Sequence, residues 1–286
     1  MKMNTLNITK KIMNQYHIRA NKRFGQNFLI DDNILKNIIE ISNIGKNDLV
    51  IEIGPGLGNL SEYIINNSKF SILIEIDKNM EKILNDRLGK YDNYLLLNED
   101  VLKINIDELI KKVELKNNTK YEQIKVVANL PYYITTPIIF QLLQESERID
   151  EIIVMVQKEV AERMIAKPKT KAYGILTIMV DYLSDADIKF IVPNSSFIPA
   201  PDVTSAVIKL IKNKKYQVDN EEVFFKLIHS AFAQRRKKLS NSLESTHFMG
   251  FNKSQIENIL LKNNISLNVR AEELTIQDYI NIVNGL

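Results

Sequence analysis

From residue 48 onward the chain alternates short apolar runs with amphipathic stretches, and this alternation constrains the fold more than any other feature. "DLVIEIG" (48–54) precedes the helically spaced "NLSEYIINN", and "FSILIEID" (70–77) precedes "KNMEKILNDRL". "NYLLLNED" (93–100), "IKVVANLPY" (124–132) and "EIIVMVQ" (151–157) continue the series. A chain that repeats strand and helix in this way buries a parallel sheet under helices on both faces, so the expected class is α/β. Two further β-rich runs, 187–192 and 204–211, flank the loop "PNSSFIPAPD" and read as an antiparallel edge to that sheet.

Past the polar stretch "KNKKYQVDN" (212–220) the strand pattern stops. "EEVFFKLIHSAF", "QRRKKLSNSL", "SQIENILLKN" and "TIQDYINIVN" read as short helices, so residues 213–286 are expected to form a small all-helical domain. The α/β domain is assigned to 19–212, and residues 1–18 to a mobile basic arm. Cysteine is absent, which excludes disulfides and thiolate chemistry. The three histidines are far apart in sequence, so no metal site is expected. Without an export signal or an apolar run long enough to span a bilayer, a cytoplasmic protein is expected, with no membrane partner. A monomer is the working assumption.

Net charge is only +3, but its distribution is uneven. Residues 1–30 carry Lys2, Lys10, Lys11, Arg19, Lys22 and Arg23 with no acid. Residues 223–243 carry Lys226, Arg235, Arg236, Lys237 and Lys238, again with no acid. Lysine is abundant throughout, so scattered lysines say little. "QRRKK" is dense enough to point to nucleic-acid contact, with Arg235, Arg236, Lys237 and Lys238 as RNA-binding candidates.

In α/β sheets ligands bind outside the carboxyl ends of the strands, and four successive strand ends here carry polar chemistry. "IEIGPGLGNL" (51–60) has glycines at 54, 56 and 58, spaced G-x-G-x-G rather than as a dinucleotide fingerprint. Pro55 also removes an amide that a phosphate would use. The next strand ends in Glu75, 21 residues after Gly54, where an acid meets ribose hydroxyls in such folds. Asp77 is its rival, since a slip of register would exchange them. Asp100 ends the third strand and Asn129 the fourth. Each acid alone reads as a helix cap; together they describe a nucleoside site without phosphate, which S-adenosylmethionine fits.

The fourth strand end, "NLPYYITTP", then sits beside a transferable methyl. An exocyclic adenine amine is a weak nucleophile because its lone pair is delocalised into the ring. Acceptors aimed at its two N–H bonds free that lone pair. Asn129 offers a side-chain carbonyl, and the Leu130 carbonyl, stiffened by Pro131, offers the second. Tyr132 would stack on the purine, a contact worth about 1–3 kcal/mol per base. Phe197 in "SSFIPAP" is the candidate for the other face of a flipped-out base. Tyr133 reads equally as core or cofactor wall. Thr135 or Thr136 should start the following helix, with Pro137 at its first position.

These motifs resemble, in order, those of the ribosomal RNA adenine N6-dimethyltransferases, and among them the bacterial small-subunit enzymes. "KRFGQNFL" (22–29), "EIGPGLG", "NLPYYITTP", "MVQKEVAERM" (155–164), "KAYG" (171–174), "FIPAPDVTSAV" (197–207), "QRRKKLSNSL" (234–243) and "RAEELT" (270–275) carry the resemblance from about residue 19 to the end. The glycine loop alone is shared by many methyltransferases, whereas "QNFL", "NLPYY" and "QRRKKLSNSL" in one chain are specific. The resemblance implies a Rossmann-like, class I S-adenosylmethionine-dependent methyltransferase sheet. It also implies N6-dimethylation of two adjacent adenosines in the hairpin loop near the 3′ end of 16S rRNA, within an immature 30S particle. By motif, Asn27 and Leu29 join Gly54, Glu75, Asp100 and Asn129 around the cofactor, which favours Glu75 over Asp77. Asp202 and Thr204 depart from the family pattern, which has a basic and an acidic residue there. Two rivals stand beside this reading. One is a large-subunit adenine methyltransferase of the macrolide-resistance type, and the other is a mainly non-catalytic assembly factor that holds rRNA.

Overall fold

The computed structural model describes residues 4–21 and 24–286. Nine strands are described: β1 (Phe28–Leu29), β2 (Leu49–Ile53), β3 (Phe70–Ile74), β4 (Tyr94–Leu97), β5 (Ile124–Asn129), β6 (Glu151–Gln157), β7 (Ser184–Val192), β8 (Phe197–Ile198) and β9 (Ser205–Lys212). The α-helices before β6 are α1 (Thr5–Gln15), α2 (Asp32–Ser42), α3 (Ser61–Asn67), α4 (Lys78–Leu88), α5 (Ile106–Asn117) and α6 (Thr135–Phe140). Those after it are α7 (Lys158–Met164), α8 (Ile175–Leu183), α9 (Glu221–Phe232), α10 (Leu239–Ser245), α11 (Lys253–Lys262) and α12 (Ile276–Asn284). No helix among the described residues is long and apolar enough to cross a membrane.

Seven strands form one sheet in the order β4-β3-β2-β5-β6-β9-β7. The first five run parallel, and β9 lies antiparallel to β6. The two closing β-rich runs are therefore neighbours at one edge, as their sequence pattern suggests. Strand β2 reads "LVIEI" and every one of its residues is buried, as a central parallel strand requires. Strand order reverses between β2 and β5: β3 and β4 extend to one side, β5 and β6 to the other. A crevice opens at such a switch point.

The strands end earlier than the apolar runs do. Strand β3 stops at Ile74 and β4 at Leu97, so Glu75, Asp77 and Asp100 stand in the turns beyond. Helix α6 begins at Thr135 after a 3-10 turn over Tyr132–Ile134. Pro137 is thus its third residue rather than its first, a position whose N–H is still outside the helical ladder.

Two assignments need correction. The chain packs as two units, 1–161 with 187–212 and 162–186 with 213–286, so the catalytic unit is not the continuous span 19–212. The reason is aromatic packing: Tyr173, Ile178 and Tyr182 share a core with Phe224, Leu227 and Ile228, and the Tyr182 and Phe224 rings lie 4.7 Å apart. The sequence between β6 and β7 therefore contributes helices to the C-terminal unit.

From Asn4 onward the N-terminal segment is likewise built into the fold instead of forming a loose arm. Asn4 caps α1 by accepting from the Asn7 amide, and Thr5 and Thr9 are buried. Ile12, Met13 and Tyr16 pack on the cluster of Phe28, Leu57, Leu84 and Leu88. The inward face runs 5, 9, 12, 13, 16, a helical stripe whose two buried members are threonines and whose other three are partly buried, so a hydrophobic count overlooks it. Lys2, Lys22 and Arg23 lie outside the described residues.

Candidate active site

A cleft of about 950 Å³, its open mouth included, lies at the carboxyl ends of β2, β3 and β5 and the turn after β4. Its lining includes Asn27, Leu29, Gly54, Glu75, Asp100, Asn129, Leu130, Pro131 and Tyr132. All six predicted cofactor residues and four of the five predicted catalytic ones are therefore together. Phe197 is the exception.

The turn after β2 carries Gly54, Gly56 and Gly58 at positive φ. A Cβ on Gly56 would lie 3.2 Å from the Phe28 ring, and one on Gly58 would lie 3.0 Å from Leu84 Cδ2. Both positions combine left-handed backbone with a tight approach of a neighbouring side chain. Beside this loop the Glu75 carboxylate is almost fully buried. Its Oε2 accepts from the Gly56 amide at 2.9 Å and its Oε1 from the Asp77 amide at 2.8 Å. Burial raises the Glu75 pKa, and those backbone bonds hold it back. Asp77 instead caps α4, accepting from the Asn79 amide, and takes a hydrogen bond from Gln26 Nε2 at 2.8 Å. Glu75 rather than Asp77 is the acid that lines the cleft.

Asp100 ends the β4 turn and accepts from the Leu102 amide at 3.1 Å. Ile76, which also lines the cleft, is an exposed apolar group. A glycine cradle in left-handed backbone, a buried carboxylate and a second acid fit a nucleoside with no phosphate to hold.

Strand β5 delivers Asn129. Its Nδ2 donates to the Asn27 carbonyl at 3.0 Å, so the "QNFL" strap and the "NLPY" strand end are joined through this amide. Leu130 is buried and its N–H continues the ladder to the Met155 carbonyl at 3.1 Å. The Pro131 carbonyl receives the Ile134 amide and the Thr135 hydroxyl, which folds the chain tightly behind the strand end. The Tyr132 hydroxyl meets Ser205 Oγ at 2.5 Å, tethering the ring to β9. Tyr133 also lines the cleft and is 53% exposed.

Phe197 is 3% exposed and sits in the core with Leu29, Val192 and Val207. In β8 it pairs with Leu29 of β1, and that pairing turns its ring into the interior. It does not offer a face to the cleft, which corrects its assignment as a second stacking surface.

The basic run needs a finer reading too. Arg235 Nε pairs with Glu272 at 2.7 Å, and its Nη2 donates to the Lys171 carbonyl at 2.5 Å. This arginine therefore clips "KAYG" and "RAEELT" together. Arg236, Lys237 and Lys238 are exposed, with Lys238 also reaching Asn268.

Two further residues line the cleft without a signal in the strand-end motifs. Glu52, within the apolar "LVIEI", is 2% exposed, and its Oε2 has no hydrogen-bond partner among the described residues. Burial pushes its carboxyl up to about 8, with nearby Ser61 opposing and the Glu75 charge reinforcing the rise. An acid in the middle of a buried strand was the available signal. Asn59 follows the last glycine of the loop and is 6% exposed. Its partners come from distant segments, so no local pattern announces it.

The model of the ribosomal RNA adenine dimethylase family matches residues 17–285. The chain belongs to that family. It is 42% identical over 280 residues to the ribosomal RNA small subunit methyltransferase A of Lactococcus lactis subsp. lactis, covering 97% of this chain and 94% of that one. The protein of the same name from Alkaliphilus oremlandii is 44% identical over 280 residues, covering 97% and 96%. Among solved structures, a dimethyladenosine transferase from Plasmodium falciparum superposes with a TM-score of 0.70 at 26% identity, covering 89% of this chain and 95% of its own. The 23S rRNA methyltransferase ErmE gives 0.64 at 22% identity, covering 91% and 99%, which shows the shared fold. The chain is thus an rRNA adenine dimethyltransferase of Rossmann-like fold, and S-adenosylmethionine is its methyl donor.

Proposed function

We propose that this enzyme dimethylates N6 of two adjacent adenosines in the hairpin loop near the 3′ end of 16S rRNA, acting in the cytoplasm on an immature 30S particle. The observation that carries this choice is the near full-length similarity, above 40% identity, to proteins named as small-subunit methyltransferases. ErmE, named for 23S rRNA, shares only 22%.

When bound, S-adenosylmethionine supplies a methyl group on an electrophilic sulfonium. The residues of the chain supply position and hydrogen bonds. Gly54 and its neighbours admit the amino-acid end, Glu75 accepts from the ribose hydroxyls, and Asp100 accepts from the adenine amine. Asn27 and Leu29 close the same site. With its nitrogen committed to the Asn27 carbonyl, Asn129 has its oxygen left for the target amine. The Leu130 carbonyl takes the second N–H, and together they localise the nitrogen lone pair toward the methyl. Tyr132, its hydroxyl tethered to Ser205, stacks on the target base. Such catalysis rests on positioning, because the product ammonium is acidic and releases its proton readily.

The test is mass spectrometry of 16S rRNA after incubation of the enzyme and S-adenosylmethionine with undermethylated small subunits. Two adjacent dimethyladenosines in the 3′-terminal hairpin are expected. Modification confined to large-subunit rRNA would refute the assignment. In the same assay Asn129→Ala should abolish transfer while S-adenosylhomocysteine still binds; loss of both would remove Asn129 from the chemistry.

A further inference from the structure

The Asn59 side chain hydrogen-bonds three residues, all distant from it in sequence. Its Nδ2 donates to Thr9 Oγ1 at 2.9 Å and to the Leu29 carbonyl at 2.8 Å. Its Oδ1 accepts from Arg87 Nη1 at 2.7 Å. The same Arg87 nitrogen donates to the Leu57 carbonyl at 2.6 Å, and Nη2 pairs with Glu62 at 3.2 Å. Through one buried amide, the glycine loop, the "QNFL" strap, α4 and α1 are held at fixed separation.

Thr9 is the unusual member of this set. It is 0% exposed in the middle of α1, where an apolar residue would normally sit. Its hydroxyl provides one of the two acceptors that satisfy the Asn59 amine. The helix carrying it is fastened at both ends: Thr5 bonds Asp32 through its backbone and hydroxyl, and the Tyr16 hydroxyl donates to Asp86 at 2.7 Å. Between those ends Ile12 and Met13 pack against the cluster containing Phe28 and Leu57. Phe28 in turn covers Gly56, and Gly56 holds Glu75. No residue of α1 lines the cleft itself, although Asn59, Phe28 and Leu57 all do.

We infer that α1 is a positioning element of the cofactor site, acting through the Thr9–Asn59 hydrogen bond on the glycine loop and the strap. Thr9→Val keeps the shape of the side chain and removes the acceptor, leaving a buried Asn59 N–H without a partner. S-adenosylhomocysteine affinity should then fall about two- to tenfold, the worth of one hydrogen bond. The KM for S-adenosylmethionine should rise by the same factor, with kcat retained at saturating cofactor. Thr9→Ser, which restores the hydroxyl, should recover the affinity. Wild-type affinity in Thr9→Val, or a loss that Thr9→Ser does not repair, would overturn the inference.

A second measurement needs no variant. Coupling between sites is reciprocal, so S-adenosylhomocysteine binding to the wild-type chain should slow amide hydrogen exchange in residues 5–15 by a comparable factor. Unchanged exchange in α1 on saturation with S-adenosylhomocysteine would refute the coupling, whatever the fate of the Thr9 variants.

Discussion

Glu52 makes a specific claim about pH. In the folded chain its carboxyl is held near 8 by burial, against 4.5 for the unfolded chain. Between those values the folded chain keeps a proton that the unfolded chain releases, so stability falls as pH rises through this window. The contribution is fully present below about 4.5 and is lost as pH climbs through about 8. Each decade corresponds to about 1.4 kcal/mol, which sets a ceiling on the order of 5 kcal/mol. Relaxation around buried charges lowers the working expectation to about 2–4 kcal/mol. Glu52→Gln removes the titration while keeping the shape of the side chain. Urea denaturation at pH 5.5 and 8.5 should show the wild type losing that amount relative to the variant. The difference between the two chains reads position 52 together with its coupling to the Glu75 charge. A constant gap between the two chains across the window would refute the assignment of a buried, protonated carboxyl.

Glu75→Gln replaces one acceptor oxygen of a carboxylate that now receives the Gly56 and Asp77 amides. S-adenosylhomocysteine affinity by calorimetry should drop roughly ten- to hundredfold, since bonds to charged acceptors are worth about 1.5–3 kcal/mol. Folding stability should hold, because a desolvated charge is removed at the same time. Gly56→Ala places a Cβ in left-handed backbone against Phe28 and should lose about 1–2 kcal/mol of stability by denaturant titration. Arg236→Glu should weaken rRNA binding and lower its salt slope by about one. Arg235→Ala should instead lower the melting temperature of the chain.

The layered α/β unit was legible because strand and helix periods announce themselves locally, and because polar groups at four strand ends fall at one sheet edge once the strands are parallel. Glu75 and Asp77 were separable by the family motif; in the fold the chain leaves β3 at Ile74 and turns Asp77 into a helix cap. Phe197 was misplaced for a physical reason. A loop aromatic among prolines looks available, but antiparallel pairing of β8 with β1 turns it into the core. The unit boundary failed because helices α7 and α8 follow a strand as any crossover would, and only tertiary packing on Phe224 reassigns the later one. Glu52, Thr9 and Asn59 were passed over since a polar residue inside an apolar element says nothing of its partners until they are assembled.

The clip made by Arg235 has a consequence for how basic tracts are dissected. Four adjacent cations invite treatment as a single electrostatic block, mutated together and scored by loss of retention on a nucleic-acid column. In this chain such a block variant would merge two failures, a weakened ligand grip and an unfastened scaffold, and the assay would attribute both to charge. Arg235, held by Glu272 and the Lys171 carbonyl, has to be scored by the melting curve as well as by any counterion tally.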